Sequence, residues 1–149
     1  MSTAQPNSDR VALLECNLDD MTGEAQGYAL EQALAQGALD AWCAPIYMKK
    51  GRPGSLLSVL CREEDATRLR LWLLRETTTL GVRWRIVDRE LAQRGADQVQ
   101  TPWGSVRRKL KLLNGVVIAV KPEYEDCARL AREHDIPLQQ VMDAALRAT

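Results

Sequence analysis

The sequence predicts an α+β fold built on a ferredoxin-like split βαβ unit, and three observations predict it. Apolar residues alternate in four short runs, they recur at helical spacing in two segments between those runs, and the order is strand, helix, strand, strand, helix, strand. Short strands with a two-residue hairpin signal and two C-terminal helices follow. With 149 residues, 46% of them hydrophobic and 27% charged, the chain can bury a core that needs no disulfide or structural metal.

The polar residues 1–10 are expected to be a disordered N-terminal segment, and residues 11–149 a single domain. Within it the ferredoxin-like unit covers about 11–90, and the hairpin and helical extension about 95–148. Val11 to Leu18 alternates, with Ala12, Leu14, Cys16 and Leu18 on one face and Glu15 and Asn17 on the other, as in a strand packed on one side. Thr22 can cap a helix with Leu30, Ala33 and Leu34 at helical spacing, and Gly37 can stop it. Leu39 to Tyr47 is the second strand. After the turn residues Lys49 to Gly54, an apolar run through Leu57, Val59 and Cys61 suits a central strand. Glu63, Glu64 and Asp65 open a helix at its positive dipole end, and Ala66, Leu69 and Leu73 mark its buried side. In the fourth strand Val82, Trp84 and Ile86 face one way and Arg83 and Arg85 the other. From Gln98 short strands surround Pro102-Trp103-Gly104 and Asn114-Gly115, the latter a strong hairpin signal. Pro122 and Pro137 each stand where the first turn of a helix can begin, and Leu138, Val141, Met142 and Ala145 form the last helix's apolar stripe.

Composition excludes several classes. Twenty basic residues balance twenty acidic ones, so anion binding requires a local patch. Phe is absent and aromatics are 5%, which starves a base-stacking surface, and no nucleic-acid partner is expected. Cys16, Cys43, Cys61 and Cys127 form no C-x-x-C pair, and His134 is the one histidine, so a structural zinc site of known spacing is excluded. Reduced thiols, no apolar N-terminal segment and no membrane-length apolar stretch predict a soluble, cytoplasmic protein.

Three polar clusters fall at strand ends or loops, where a scaffold presents functional groups. Asn17-Leu18-Asp19-Asp20-Met21-Thr22-Gly23-Glu24 supplies oxygens suited to a hard divalent cation, and equally suits a helix-start turn. Tyr47 to Gly54 holds Lys49, Lys50 and Arg52 without an acid and has two glycines, so it is either an anion cradle or a solvated basic hairpin. Arg75-Glu76-Thr77-Thr78-Thr79-Leu80-Gly81-Val82-Arg83 combines hydroxyls with two guanidiniums that can grip phosphate. Together the three suggest a site for a metal-complexed polyphosphate. The acids from Glu123 to Asp126 compensate a helix dipole, and His134 is given no role.

The runs Asn-Leu-Asp-Asp-Met-Thr-Gly-Glu from Asn17, Pro-Ile-Tyr-Met-Lys-Lys-Gly-Arg-Pro-Gly from Pro45, Arg-Glu-Thr-Thr-Thr-Leu-Gly-Val-Arg from Arg75 and Pro-Glu-Tyr-Glu-Asp-Cys from Pro122 resemble, in order and spacing, the C-terminal part of the LarC family. That resemblance implies a CTP-dependent nickel insertase. Such proteins load Ni2+ into pyridinium-3,5-bisthiocarboxylic acid mononucleotide, the precursor of the lactate racemase cofactor, using CTP and Mn2+ or Mg2+. It also implies an N-terminal LarC domain or subunit as partner and a homo-oligomer, trimer or hexamer. Carried over position by position, Lys49, Lys50, Arg52, Arg75, Thr77, Thr78 and Arg83 are the expected nucleotide ligands, and Asn17, Asp19 and Glu76 the expected metal ligands. The competing reading is a non-catalytic ferredoxin-like module that oligomerises and presents a partner domain.

Overall fold

A computed structural model describes residues Asn7–Ala148, and the chain divides into two compact units, Ser8–Arg89 and the chain from Glu90 onward. Each unit has its own apolar cluster.

The first unit runs β1 (Asn7–Leu18), α1 (Gly23–Ala35), β2 (Asp40–Tyr47), β3 (Pro53–Arg62), α2 (Ala66–Glu76) and β4 (Arg83–Leu91). Its sheet has the order β2-β3-β1-β4, with β3 antiparallel to both neighbours. This is the expected split βαβ order. β1 and β3 are the inner strands, and their alternation feeds one face: Ala12, Leu14, Cys16 and Leu18 pack with Leu57, Val59 and Cys61 beneath the helices. Ala33 of α1 and Ala66, Leu69 and Leu73 of α2 are buried as the spacing required, joined by Trp72. Each fully buried leucine contributes about 1.5–3 kcal/mol.

Four local expectations need correction. β1 starts at Asn7, inside the segment expected to be disordered, because Asp9 accepts two hydrogen bonds from Arg89 of β4 at 2.7 and 2.9 Å. Residues 1–6 of that segment lie outside the described residues. Glu63–Asp65 forms a separate 3-10 turn, and α2 begins only at Ala66. Leu34 points outward at 48% exposure, and Trp84, on edge strand β4, is 56% exposed with Arg70 3.7 Å from its ring centre.

The second unit is an antiparallel meander, β5 (Gln93–Thr101), β6 (Gly104–Leu113) and β7 (Val116–Pro122), followed by α3 (Tyr124–His134) and α4 (Leu138–Arg147). The strands are longer than the short ones expected. Asn114 and Gly115, at φ 50° and 78°, make the two-residue hairpin turn, where glycine's freedom at positive φ is needed. Val99 and Val106 pack against Cys127, Leu130, Ala131, Val141 and Ala145, so Cys127 is a core residue. Pro122 ends β7 and starts no helix, whereas Pro137 caps α4.

Asp126, in the first turn of α3, ties that helix to β6. Its carboxylate accepts from the Arg107 guanidinium at 2.8 and 2.9 Å and from the Arg107 backbone N–H at 3.0 Å. These bonds hold its pKa down at about 2, guanidinium bond first. A depressed pKa means the stabilisation is complete above the unfolded value near 3.9 and is lost as pH falls toward 2. The expected loss over that window is about 1–2 kcal/mol after solvent screening at the exposed Arg107. Urea titrations of parent and Asp126→Asn between pH 5 and about pH 2 should show the parent losing more stability; parallel curves would refute the assignment.

Candidate functional site

The split βαβ order brings the C-terminal ends of β1 and β2, the starts of β3 and β4, the N-terminus of α1 and the C-terminus of α2 to one end of the sheet. All three polar clusters of the first unit lie there. Arg52 Nη1 donates to Asp19 Oδ2 at 3.5 Å, Thr78 Oγ1 donates to Asp20 Oδ1 at 2.6 Å, and Arg83 Nη2 donates to Asn17 Oδ1 at 2.9 Å. These contacts join residues 33, 58 and 66 positions apart.

The basic turn is built by its backbone. Met48 N–H donates to the Arg52 carbonyl at 2.8 Å, closing a loop in which Lys50 and Gly51 both have positive φ, 62° and 68°. A lysine in that region is strained, and such strain persists only where the surroundings impose it. A Cβ on Gly54 would lie 2.6 Å from the Leu18 carbonyl oxygen, so only glycine lets the turn approach β1 this closely. Lys49 and Lys50 are exposed and, among the described residues, have no ion-pair partner.

The threonines build the second wall. Thr77 is buried and its hydroxyl donates to the Leu73 carbonyl at 2.7 Å, ending α2. Thr79 accepts from the Gly81 N–H and donates to the Gly81 carbonyl at 2.9 Å, which turns the chain into β4. Thr78 is left to face Asp20. Arg75 lines a different cleft with Gln36, Arg68, Leu71 and Trp72, and neither it nor Glu76 is bonded to the other clusters among the described residues. The fold therefore gathers Asn17, Asp19, Arg52, Thr78 and Arg83 by direct contact and sets Lys49 and Lys50 on the adjoining turn.

Asp20, Glu15 and Arg85 join the site without belonging to the expected ligand set. Thr22 caps α1, accepting from Ala25 N–H at 3.3 Å, and Asp20 accepts from Thr78. Glu15, only 13% exposed, meets Arg83 at 3.5 Å and Arg85 at 3.2 Å. The signal was present: Glu15 and Asn17 alternate on one face of β1, and Arg83 and Arg85 alternate on β4, but the match is visible only once β1 and β4 are neighbours. Beneath the site Cys16 is buried and its thiol is pushed up, chiefly by burial and then by Cys43, with partial relief from Thr79 and Arg83.

Among the described residues no group of three or more His, Cys, Asp and Glu side chains is placed to hold a metal ion. The oxygens of Asn17 and Asp19 sit beside the Arg83 and Arg52 guanidiniums instead, and Asp20 beside the Thr78 hydroxyl. Such an arrangement suits a hard cation bound jointly with phosphate oxygens, because those supply most of its ligands and the protein supplies one or two.

An antiparallel split βαβ unit with cations and carboxylates gathered at one sheet end defines a ferredoxin-like α+β protein. Residues 1–142 match the family model described as nickel insertion protein, and the chain belongs to that family. It is 45% identical over 144 residues to a putative nickel insertion protein of Myxococcus xanthus, covering 97% of this chain and 37% of that protein. It is 42% identical over 139 residues to the pyridinium-3,5-bisthiocarboxylic acid mononucleotide nickel insertion protein of Staphylococcus epidermidis, covering 93% of this chain and 35% of that one. The chain thus spans about a third of the length of these relatives. Among solved structures it is similar to LarC2, the C-terminal domain of a cyclometallase involved in the synthesis of the NPN cofactor of lactate racemase. There the TM-score is 0.85 and the identity 43%, with 95% of this chain and 98% of that one covered. The chain corresponds to the C-terminal domain of the LarC family, as its motifs implied. A protein of Methanopyrus kandleri, at 24% identity and TM-score 0.67, shares the fold.

Gly54→Ala should test the close approach that shapes this end of the sheet. The added methyl collides with the Leu18 carbonyl, so denaturation should show a loss of about 1–3 kcal/mol. A parent-like midpoint would mean that the turn does not rest on β1.

Proposed function

We propose that this chain is the metal–CTP-binding domain of a nickel insertase. With an N-terminal LarC domain or subunit and as a homo-oligomer, it serves to load Ni2+ into pyridinium-3,5-bisthiocarboxylic acid mononucleotide in the cytoplasm. Membership of the nickel insertion family supports the reaction class, and the convergence of the three polar clusters carries the nucleotide reading. No helix among the described residues is long and apolar enough to cross a membrane.

In this reading Lys49, Lys50, Arg52 and Arg83 hold the triphosphate with Thr78 beside them, whereas Arg75 lines another cleft and Thr77 is buried with its hydroxyl on the Leu73 carbonyl. Arg52 and Arg83 are exposed, and their bonds to Asp19 and Asn17 are of the surface kind, contributing about 0–1 kcal/mol each. Both guanidiniums can therefore turn to phosphate at little cost. Asp19 and Asn17, thus released, offer oxygens to Mn2+ or Mg2+ together with Glu76. A divalent cation held there neutralises part of the triphosphate charge and polarises its oxygens. Thr78 orients Asp20 and keeps it from opposing the incoming anion freely.

CTP with manganese should raise the melting temperature of the chain, with stabilisation of about 2.7 kcal/mol at a hundredfold excess over Kd. ATP, GTP and UTP serve as controls, and an unchanged melting temperature at millimolar CTP would remove the nucleotide reading.

Substitutions separate the roles. Lys49→Ala should weaken CTP binding while changing stability by no more than about 0–1 kcal/mol. Asp19→Asn should weaken binding in manganese and leave equal or tighter binding in chelator, because a carboxylate beside a triphosphate is favourable only with a cation between them. Equal manganese-dependent affinity in Asp19→Asn and parent, measured by calorimetry, would exclude Asp19 from the metal.

A further inference from the structure

The helical layer of the first unit is divided by charge. α1 and α2 lie side by side and antiparallel on one side of the sheet. Arg68 at the start of α2 donates to the Gln36 carbonyl at the end of α1 at 2.9 Å, and Thr78 beyond α2 meets Asp20 ahead of α1. Their inner sides face the core, where Ala29 and Ala33 of α1 and Leu69, Trp72 and Leu73 of α2 are buried. Helical spacing puts Glu24, Tyr28, Glu31 and Leu34 on the outer side of α1. It puts Leu71, Leu74 and Arg75 on the outer side of α2, with Arg70 at its flank. The four apolar side chains among these are between 42 and 64% exposed. Glu24, Glu31, Arg70 and Arg75 have no ion-pair partner among the described residues.

A single exposed leucine is ordinary. Four large apolar side chains on one layer, with acids on one helix and cations on the other, mark a contact surface. We infer that this outer layer is an interface with a second copy of this chain, α1 of each copy lying on α2 of the other. This gives a surface to the homo-oligomer proposed above and rests on that part of the reading alone.

The pattern is complementary to itself. A two-fold axis between the layers and parallel to the helices brings the Glu24–Glu31 row of α1 over the arginines of the second copy's α2, and does so twice. A two-fold axis across the helices would lay α1 on α1 and oppose like charges. Between α2 and β4, Leu71, Leu74, Val82 and Trp84 wall a groove of about 210 Å³, and Tyr28, the one aromatic residue of α1, is the anchor it can seat. A wholly acidic partner would leave Glu24 and Glu31 opposed by like charge, and a wholly basic one Arg70 and Arg75. A second copy matches both halves.

The test is sedimentation velocity of the full chain, which should show reversible self-association that weakens as salt rises. Glu31→Lys and Arg75→Glu should each weaken it about tenfold or more, with the circular dichroism spectrum unchanged because both side chains are exposed. Mixed in equal amounts, the two variants should associate with each other as the parent does with itself, since each supplies the charge the other has lost. A parent that stays monomeric, leaving the layer to a partner of another kind, overturns this inference and the homo-oligomer together. Self-association unchanged in both variants, or a mixture that associates no better than either variant alone, overturns this surface and leaves the homo-oligomer standing. Failure of CTP to stabilise the chain, measured separately, bears on the triphosphate site alone.

Discussion

The insertion of β3 between β1 and β2 is the constraint on which the first unit depends. Because β3 is antiparallel to both, β1 and β2 must point the same way, and their ends meet the start of β3 at one edge of the sheet. Leu57 lies opposite Cys16 on one side and Cys43 on the other, so one buried leucine fixes both registers. A slip of one residue would turn Leu57, Val59 and Cys61 out of the core, and would carry the basic turn away from Leu18 and Asp19. The apolar alternation that builds the core thus also decides where the charged segments meet. Position of the site is a by-product of burial.

Within that end of the sheet the charges are graded by how firmly they are held. Glu15, largely buried, is shared by Arg83 and Arg85, which fastens edge strand β4 and limits where the Arg83 guanidinium can reach. Arg85 stays on Glu15 when Arg83 turns away, so the half-buried carboxylate keeps a cationic partner. Farther out, Arg52 and Asp19 meet at 3.5 Å at the surface, and Lys49 and Lys50 meet no acid among the described residues. The inner pair secures the scaffold and the outer cations are available to a ligand. A site built this way can exchange partners at its rim without disturbing the sheet beneath.

Much of this was legible in the sequence, for physical reasons that can be named. Val11 to Leu18 showed its faces because one side of β1 is buried, and Asn114-Gly115 announced its turn because two successive positive φ angles favour those residues. Thr22 was readable as a cap for the same local reason. What failed was non-local. Asn7 to Arg10 read as a tail until Asp9 finds Arg89, eighty positions away. Asp20 satisfies every local rule for a cap, yet its partner is Thr78. The boundary between the two units carries no sequence signal because β4 runs to Leu91 and β5 starts at Gln93, leaving no linker of distinctive composition.

The balanced charge shows why totals are a poor guide to anion binding. Equal numbers of acids and bases argue against a polyanion partner only if the two kinds are mixed at the scale of screening, about 8–10 Å. Here several acids are consumed in structural pairs, Asp9 with Arg89, Asp97 with Arg108 and Asp126 with Arg107, each removing one cation as well. Glu24 and Glu31 of α1 and Glu125 of α3 are among the acids left without an ion-pair partner within the described residues, and all three stand on helices. The unmatched cations Lys49 and Lys50, and Arg94, Lys111 and Lys121, stand on a strand turn and on a sheet face. A neutral chain therefore presents two local cationic surfaces, each within its own unit, and it is the pairing of individual acids, which only the fold determines, that makes them available.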